Sequence, residues 1–201
     1  MNQSLADHAG AIRAGMEEAI AVKRLMLADE TLMTTAVAVG EAMVSALAAG
    51  NRILFAGNGI SAADAQHLTT EFVSKFAFDR PGLPAMSLAS DASTITAIAN
   101  DYGYDNLFQR QLEAQARPGD VFVGLTTSGR SPNVLAAFGA CARLQVTSVA
   151  FCALSGDLNG VDHVLRVPSR SSPRIQESHM LLGHLICGHV ERRMFGHLAP
   201  P

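Results

Sequence analysis

His67 and Glu71 stand four residues apart in Asp64-Ala65-Gln66-His67-Leu68-Thr69-Thr70-Glu71. On a helix, that spacing puts an imidazole and a carboxylate on one face. Such a pair can move protons near neutral pH, or offer one nitrogen and one oxygen to a metal ion. Just upstream, Gly57-Asn58-Gly59-Ile60-Ser61 follows the apolar run Ile53-Leu54-Phe55-Ala56 and reads as a turn from a buried strand into that helix. The first N–H groups of the helix lack intrahelical partners and the macrodipole adds positive charge, so the turn suits a phosphate. The plainer alternative is a glycine-containing N-cap turn followed by a surface helix with an incidental His–Glu pair.

A second constellation, Leu125-Thr126-Thr127-Ser128-Gly129-Arg130-Ser131-Pro132-Asn133, again lies at the carboxyl end of an apolar strand and just before a helix. Its hydroxyls can converge on phosphate oxygens, and Ser131 with Pro132 makes a natural N-cap and first helical position. Taken alone, it is also what a well-capped Ser/Thr turn looks like. The third opens the last helix, Arg174-Ile175-Gln176-Glu177-Ser178-His179-Met180-Leu181-Leu182-Gly183-His184. Gln176 and His184 lie about 80° apart around that helix but about 12 Å apart along it. Either both side chains lean toward a ligand between them, or they serve different copies of the site across a subunit interface, and the second is the expectation. His179, His189 and His197 are expected to be core histidines satisfied by carbonyl groups.

The elements that must hold these residues alternate. Strands are expected at Ile53–Ala56, Ala85–Leu88, Val121–Leu125, Thr147–Cys152 and His163–Val167, with helices at Ala62–Phe76, Ala92–Asn100, Asp105–Ala116, Ser131–Leu144 and Arg174–Phe195. Strands joined by helical crossovers imply an α/β fold with a five-stranded parallel sheet, whose ligands bind at the carboxyl edge. Two long helices, about Ser4 to Ala28 and Thr31 to Ala49, precede the first strand and form a helical hairpin.

The chain has 201 residues, of which 48% are hydrophobic and 16% charged, as expected of one domain over 1–201 with a helical extension over 1–50. Its 15 basic and 18 acidic side chains leave no positive excess for a nucleic-acid backbone, so no direct nucleic-acid ligand is expected. Three cysteines without metal-type spacing point to packed thiols in the reducing cytoplasm. Residues Met1 to Gly10 show no signal pattern, and no uninterrupted apolar stretch reaches the roughly 18 residues of a membrane span, so no membrane association is expected.

Several motifs, taken in order, carry a resemblance: Gly57-Asn58-Gly59-x-Ser61-x-x-Asp64-Ala65-x-His67-x-x-x-Glu71, Ala99-Asn100-Asp101-Tyr102-Gly103, Gly119-Asp120-Val121, Thr127-Ser128-Gly129-x-Ser131 and Arg174-Ile175-Gln176-Glu177-x-His179. Over nearly its whole length the chain resembles the sugar isomerase (SIS) domain family, and within it the phosphoheptose isomerases. The resemblance implies a flavodoxin-like, nested three-layer αβα domain in a homotetramer with sites between subunits. Its substrate would be a phosphorylated seven-carbon ketose, D-sedoheptulose 7-phosphate. On this resemblance Asn58, Gly59, Ser61, Thr126, Thr127, Ser128 and Ser131 hold the phosphate, and Asn100 and Asp101 hold sugar hydroxyls. His67, Glu71, Gln176 and His184 match the family's zinc-associated and catalytic set, with Glu71 and Gln176 also facing the sugar. Two nitrogens and two oxygens suit tetrahedral zinc. Glu71 and His184 are the expected acid–base pair.

Ala62 stands where many relatives carry His, Pro173 where some carry Asp, and Ile60 where Gly is usual. A β-branched Ile60 resists positive φ, so a shifted loop is expected there. Two non-catalytic readings compete. One is an SIS adaptor that binds the replication initiator DnaA, which the wording around Ser61–His67 and Met180–Leu182 resembles. The other is a sugar-phosphate sensor, though the helix-turn-helix that a sensor would carry is missing. An adaptor has no need of Glu71 and His184 together, so the enzyme is the preferred reading.

Overall fold

A computed structural model describes residues 5–200. Helices α1 (Leu5–Leu27) and α2 (Glu30–Ala48) lead into β1 (Ile53–Gly57), α3 (Ile60–Val73), β2 (Ala85–Ser87) and α4 (Ala92–Tyr102). A 3-10 turn (Tyr104–Asn106) precedes α5 (Leu107–Gln115), followed by β3 (Val121–Thr126), α6 (Pro132–Leu144), β4 (Thr147–Ala153), β5 (His163–Val167) and α7 (Ser172–Phe195). The strands form one parallel sheet in the order β2-β1-β3-β4-β5. The expected start of the first helix at Ser4 lies outside the described residues.

Side chains alternate across the strands, and each set has its own core. Ile53, Phe55, Val121, Val123, Val149 and Phe151 pack with residues of α2, α3 and α7. Leu54, Ala56, Phe122, Ala150 and Cys152 pack with those of α5 and α6. Covering both faces is what makes β1 and β3 continuous apolar runs. Cys141, Cys152 and Cys187 are free and buried, and burial pushes the thiols of Cys141 and Cys152 up to about 12 and about 11, as suits inert packed groups.

Two boundaries moved for tertiary reasons. Helix α3 stops at Val73 rather than Phe76 because Arg80 takes the carbonyls of Glu71, Phe72 and Ser74 while Glu191 takes the N–H groups of Phe76 and Ala77. The expected helix over Asp105–Ala116 divides into the 3-10 turn and α5. The N-terminal pair of helices meets at Asp29, whose carboxylate caps α2 by accepting from Leu32 N at 3.0 Å. Helix α1 buries Val22 and Met26, is tied to α7 through Lys23 and Glu177 at 2.7 Å, and leaves Ile12, Met16 and Ile20 exposed. Helix α2 is long and apolar enough to cross a membrane, yet Leu32, Val39, Met43 and Leu47 are buried in the core beside α7, so it reads as a core helix.

Candidate active site

The two strand-to-helix turns lie side by side because β1 pairs with β3, with Gly57 in register with Leu125. At the first turn Gly59 carries φ +59°, a region glycine enters without steric cost, and its Cβ position opens onto free space. Ile60 is already helical and does not carry a positive φ, so its branched side chain meets no backbone strain there. Neither α3 nor α6 has a side-chain cap on its N-terminal N–H groups, whereas α2 and α4 are capped by Asp29 and Asp91. Ser131 holds the N-cap position as expected but turns its hydroxyl to Thr126 Oγ1, at 3.0 Å, instead of capping α6. The uncapped N–H groups are what an anion needs.

Asn58 is more committed than sequence suggested. It exchanges two amide hydrogen bonds with the buried Asn133, at 2.8 and 2.9 Å, and its Oδ1 accepts from the Tyr104 hydroxyl at 2.9 Å. Asn133 closes the second sequence constellation but was given no role there, and Tyr104, just beyond the Ala99–Gly103 motif, was not singled out. Asn100 donates to Asp101 at 2.7 Å, and this exposed pair ends α4 just before the segment that Tyr104 anchors to the cradle. Thr127 and Ser128 border a cavity of about 370 Å³ that is also lined by Arg130, Arg170 and Ser172. Ser61 and Thr126, expected to face the phosphate, are buried.

The chemistry-bearing groups converge between α3 and α7. His67 Nε2 lies 2.9 Å from His184 Nε2 and 3.0 Å from Glu71 Oε1, and His184 Nε2 is 4.0 Å from the same oxygen. Gly183 makes this approach possible, since a Cβ there would sit 2.5 Å from Leu68 Cδ2, beside His67. Phe76 packs its ring against His184 with centroids 5.5 Å apart, and a cleft of about 450 Å³ lined by Phe76, His184, His189 and Arg192 opens alongside. Three lone-pair groups aimed at one point can share a proton or hold a cation. Gln176 lies on α7 two turns before His184.

The other histidines divide. His179 is fully buried as expected, but neither ring nitrogen has a hydrogen bond of good geometry. Burial holds it down at about 4, offset only in part by the Cys152 backbone. His189 is half-buried and bound by a carboxylate, Glu41 Oε1 at 2.8 Å, rather than a carbonyl, and His197 is exposed. Asp64, one turn before His67, is buried with Oδ2 unpartnered, and desolvation raises its carboxyl above the usual range.

A parallel sheet with uncapped helix N-termini at its carboxyl edge, beside a cluster of two imidazoles and a carboxylate, is the form of a sugar-phosphate domain. The model of the SIS domain matches residues 19–153, and the chain belongs to that family. Within it, the relatives are phosphoheptose isomerases. The chain is 51% identical to the enzyme of that name from Burkholderia pseudomallei over 89% of this chain and 92% of the other. It is 47% identical to phosphoheptose isomerase 2 of Campylobacter jejuni over 92% and 93%. The solved phosphoheptose isomerase of Francisella tularensis superimposes with TM-score 0.87 at 35% identity, covering 92% of this chain and 98% of that one. That of Neisseria gonorrhoeae gives 0.84 at 36%, over 91% and 98%. These relatives bear an isomerase's name, and with the convergence of His67, Glu71 and His184 they overturn the DnaA-adaptor reading.

Proposed function

We propose that this chain is an aldose–ketose isomerase that interconverts D-sedoheptulose 7-phosphate and D-glycero-D-manno-heptose 7-phosphate through an enediol. The observation that carries the reading is the meeting of a carboxylate and two imidazoles at the α3–α7 contact, with His67 in hydrogen-bonding range of both Glu71 and His184 and those two 4.0 Å apart. Glu71 Oε1 faces the imidazoles, which leaves Oε2 to take a proton from C1 of the ketose. The electron pair forms the C1–C2 double bond while His184 protonates the C2 oxygen. His184 then removes the proton from O1 as Glu71 returns its proton to C2, giving the aldehyde. The cradle made by the first turns of α3 and α6 holds the phosphate through uncapped N–H groups and the hydroxyls of Thr127 and Ser128.

The donor set fits zinc: His67, Glu71 and His184, with Gln176 as a fourth ligand, would hold the ion, which would polarise the substrate oxygens. Because Gln176 is about 12 Å along α7 from His184, we assign it to the site of a neighbouring copy in a homotetramer. The exposed Ile12, Met16 and Ile20 of α1 supply apolar surface for such an assembly. Free buried thiols suit a cytoplasmic enzyme, and the product would feed activated heptose for a bacterial surface glycan. The whole chain acts as one SIS domain with its helical extension.

Purified protein incubated with sedoheptulose 7-phosphate should form the aldose, and chelator should slow it. A protein that leaves the ketose unchanged with zinc supplied removes this function.

A further inference from the structure

Two buried charges that no sequence motif singled out hold the frame of the acid–base cluster. Arg80 and Glu191 have side chains only 1% exposed and pair at 3.1 Å between Nε and Oε1. The guanidinium reaches into the last turn of α3: Nη2 donates to the carbonyl of Glu71 at 2.6 Å, and Nη1 donates to those of Phe72 and Ser74 at 2.6 and 3.0 Å. Glu191 completes the connection by accepting from Phe76 N at 2.9 Å and Ala77 N at 2.8 Å.

Glu191 lies seven residues beyond His184 on α7, about 20° around the axis and about 10 Å along it, hence on the same stripe. The connections close a ring. It runs from the Glu71 carboxylate through His67 to His184, along α7 to Glu191, across to Arg80, and back through the backbone carbonyl of Glu71 itself. Loose carbonyls at a helix end are ordinarily satisfied by water or a glycine cap, neither of which fixes the helix relative to a neighbour. A buried ion pair is a costly substitute in desolvation and adds little net stability; what it adds is a defined geometry. Phe76, whose N–H this pair holds, also packs on the His184 ring.

We propose that Arg80 and Glu191 are positioning residues, which set the height and rotation of Glu71 against His184 and so maintain the proton-transfer and metal-binding geometry. The inference rests on the isomerase reading for its kinetic consequence alone.

The test uses the full-length double variant Arg80→Met/Glu191→Leu, which replaces the pair by apolar groups of similar volume, an exchange that buried pairs often tolerate. Thermal unfolding establishes that it folds. The ¹⁵N signals of the His67 and His184 imidazoles are then compared with wild type in metal-free protein, and Co²⁺ affinity is measured by titration. Displaced imidazole signals and Co²⁺ binding weakened about 10–100-fold are expected. With sedoheptulose 7-phosphate, kcat should fall by a similar factor while KM stays within about twofold. A folded variant with wild-type imidazole signals and wild-type Co²⁺ affinity overturns the proposal and leaves the pair a structural tie. Should the double variant not fold, Glu191→Gln, which keeps the shape and removes the charge, is judged by the same signals. A wild type inactive on the ketose defeats the isomerase reading, whereas the imidazole signals still decide the role of the pair.

Discussion

At the residue scale, the site turns on one imidazole: His67 Nε2 lies within hydrogen-bonding distance of both Glu71 Oε1 and His184 Nε2, which are 4.0 Å from each other. Glu71→Gln keeps the volume and removes the base, so kcat should fall about 10²–10⁴-fold with KM little changed, as measured by steady-state kinetics. Near wild-type turnover would take Glu71 out of the proton path. The spacing of His67 and Glu71 was legible because a helix has a fixed period. The partnership of Asn58 with Asn133 was not, since 75 residues separate two side chains that meet only when β1 and β3 pair.

At the element scale, α7 does three things: it presents His184, it anchors the core against β4, and it receives α1 and α2. His179 belongs to the second task, standing edge-on to Phe151 with centroids 5.8 Å apart. Its folded value of about 4 lies below the ordinary 6.5, so between these limits the unfolded chain holds a proton that the folded chain refuses. The stability contributed by the neutral ring is complete above pH 6.5 and is lost as the pH falls toward 4, by about 3 kcal/mol in all. Denaturant unfolding of wild type at pH 7.5 and 4.5 should show most of that loss, and His179→Leu should flatten it. An equally steep pH dependence in the variant would place the titration elsewhere. Periodicity recovered each strand and main helix. It failed at the end of α3, where local propensity favoured continuing to Phe76 and a contact from 111 residues away, Arg80 with Glu191, imposed the stop.

At the scale of the whole molecule, α1 is the element least explained by the chain alone. Ile12, Met16 and Ile20 recur every fourth residue, and Ile12 remains 67% exposed. Replacing Ile12 and Met16 together by Asp should dissociate the proposed tetramer, observed as a fall in mass by analytical ultracentrifugation, with little loss of secondary structure. A variant that stays tetrameric would move the interface off this stripe. By itself the sequence determined the order and type of the elements, the apolar faces that build a doubly covered sheet, and the turns that can receive a phosphate, because these follow from local periodicity and backbone chemistry. Only the tertiary structure decided the distances among His67, Glu71 and His184, which the family resemblance had grouped, that Asn58 is engaged by Tyr104 and Asn133, and that Arg80 and Glu191 fasten α3 to α7. Those are distances between residues far apart in the chain, set by how helices pack across a sheet, and no local pattern encodes them.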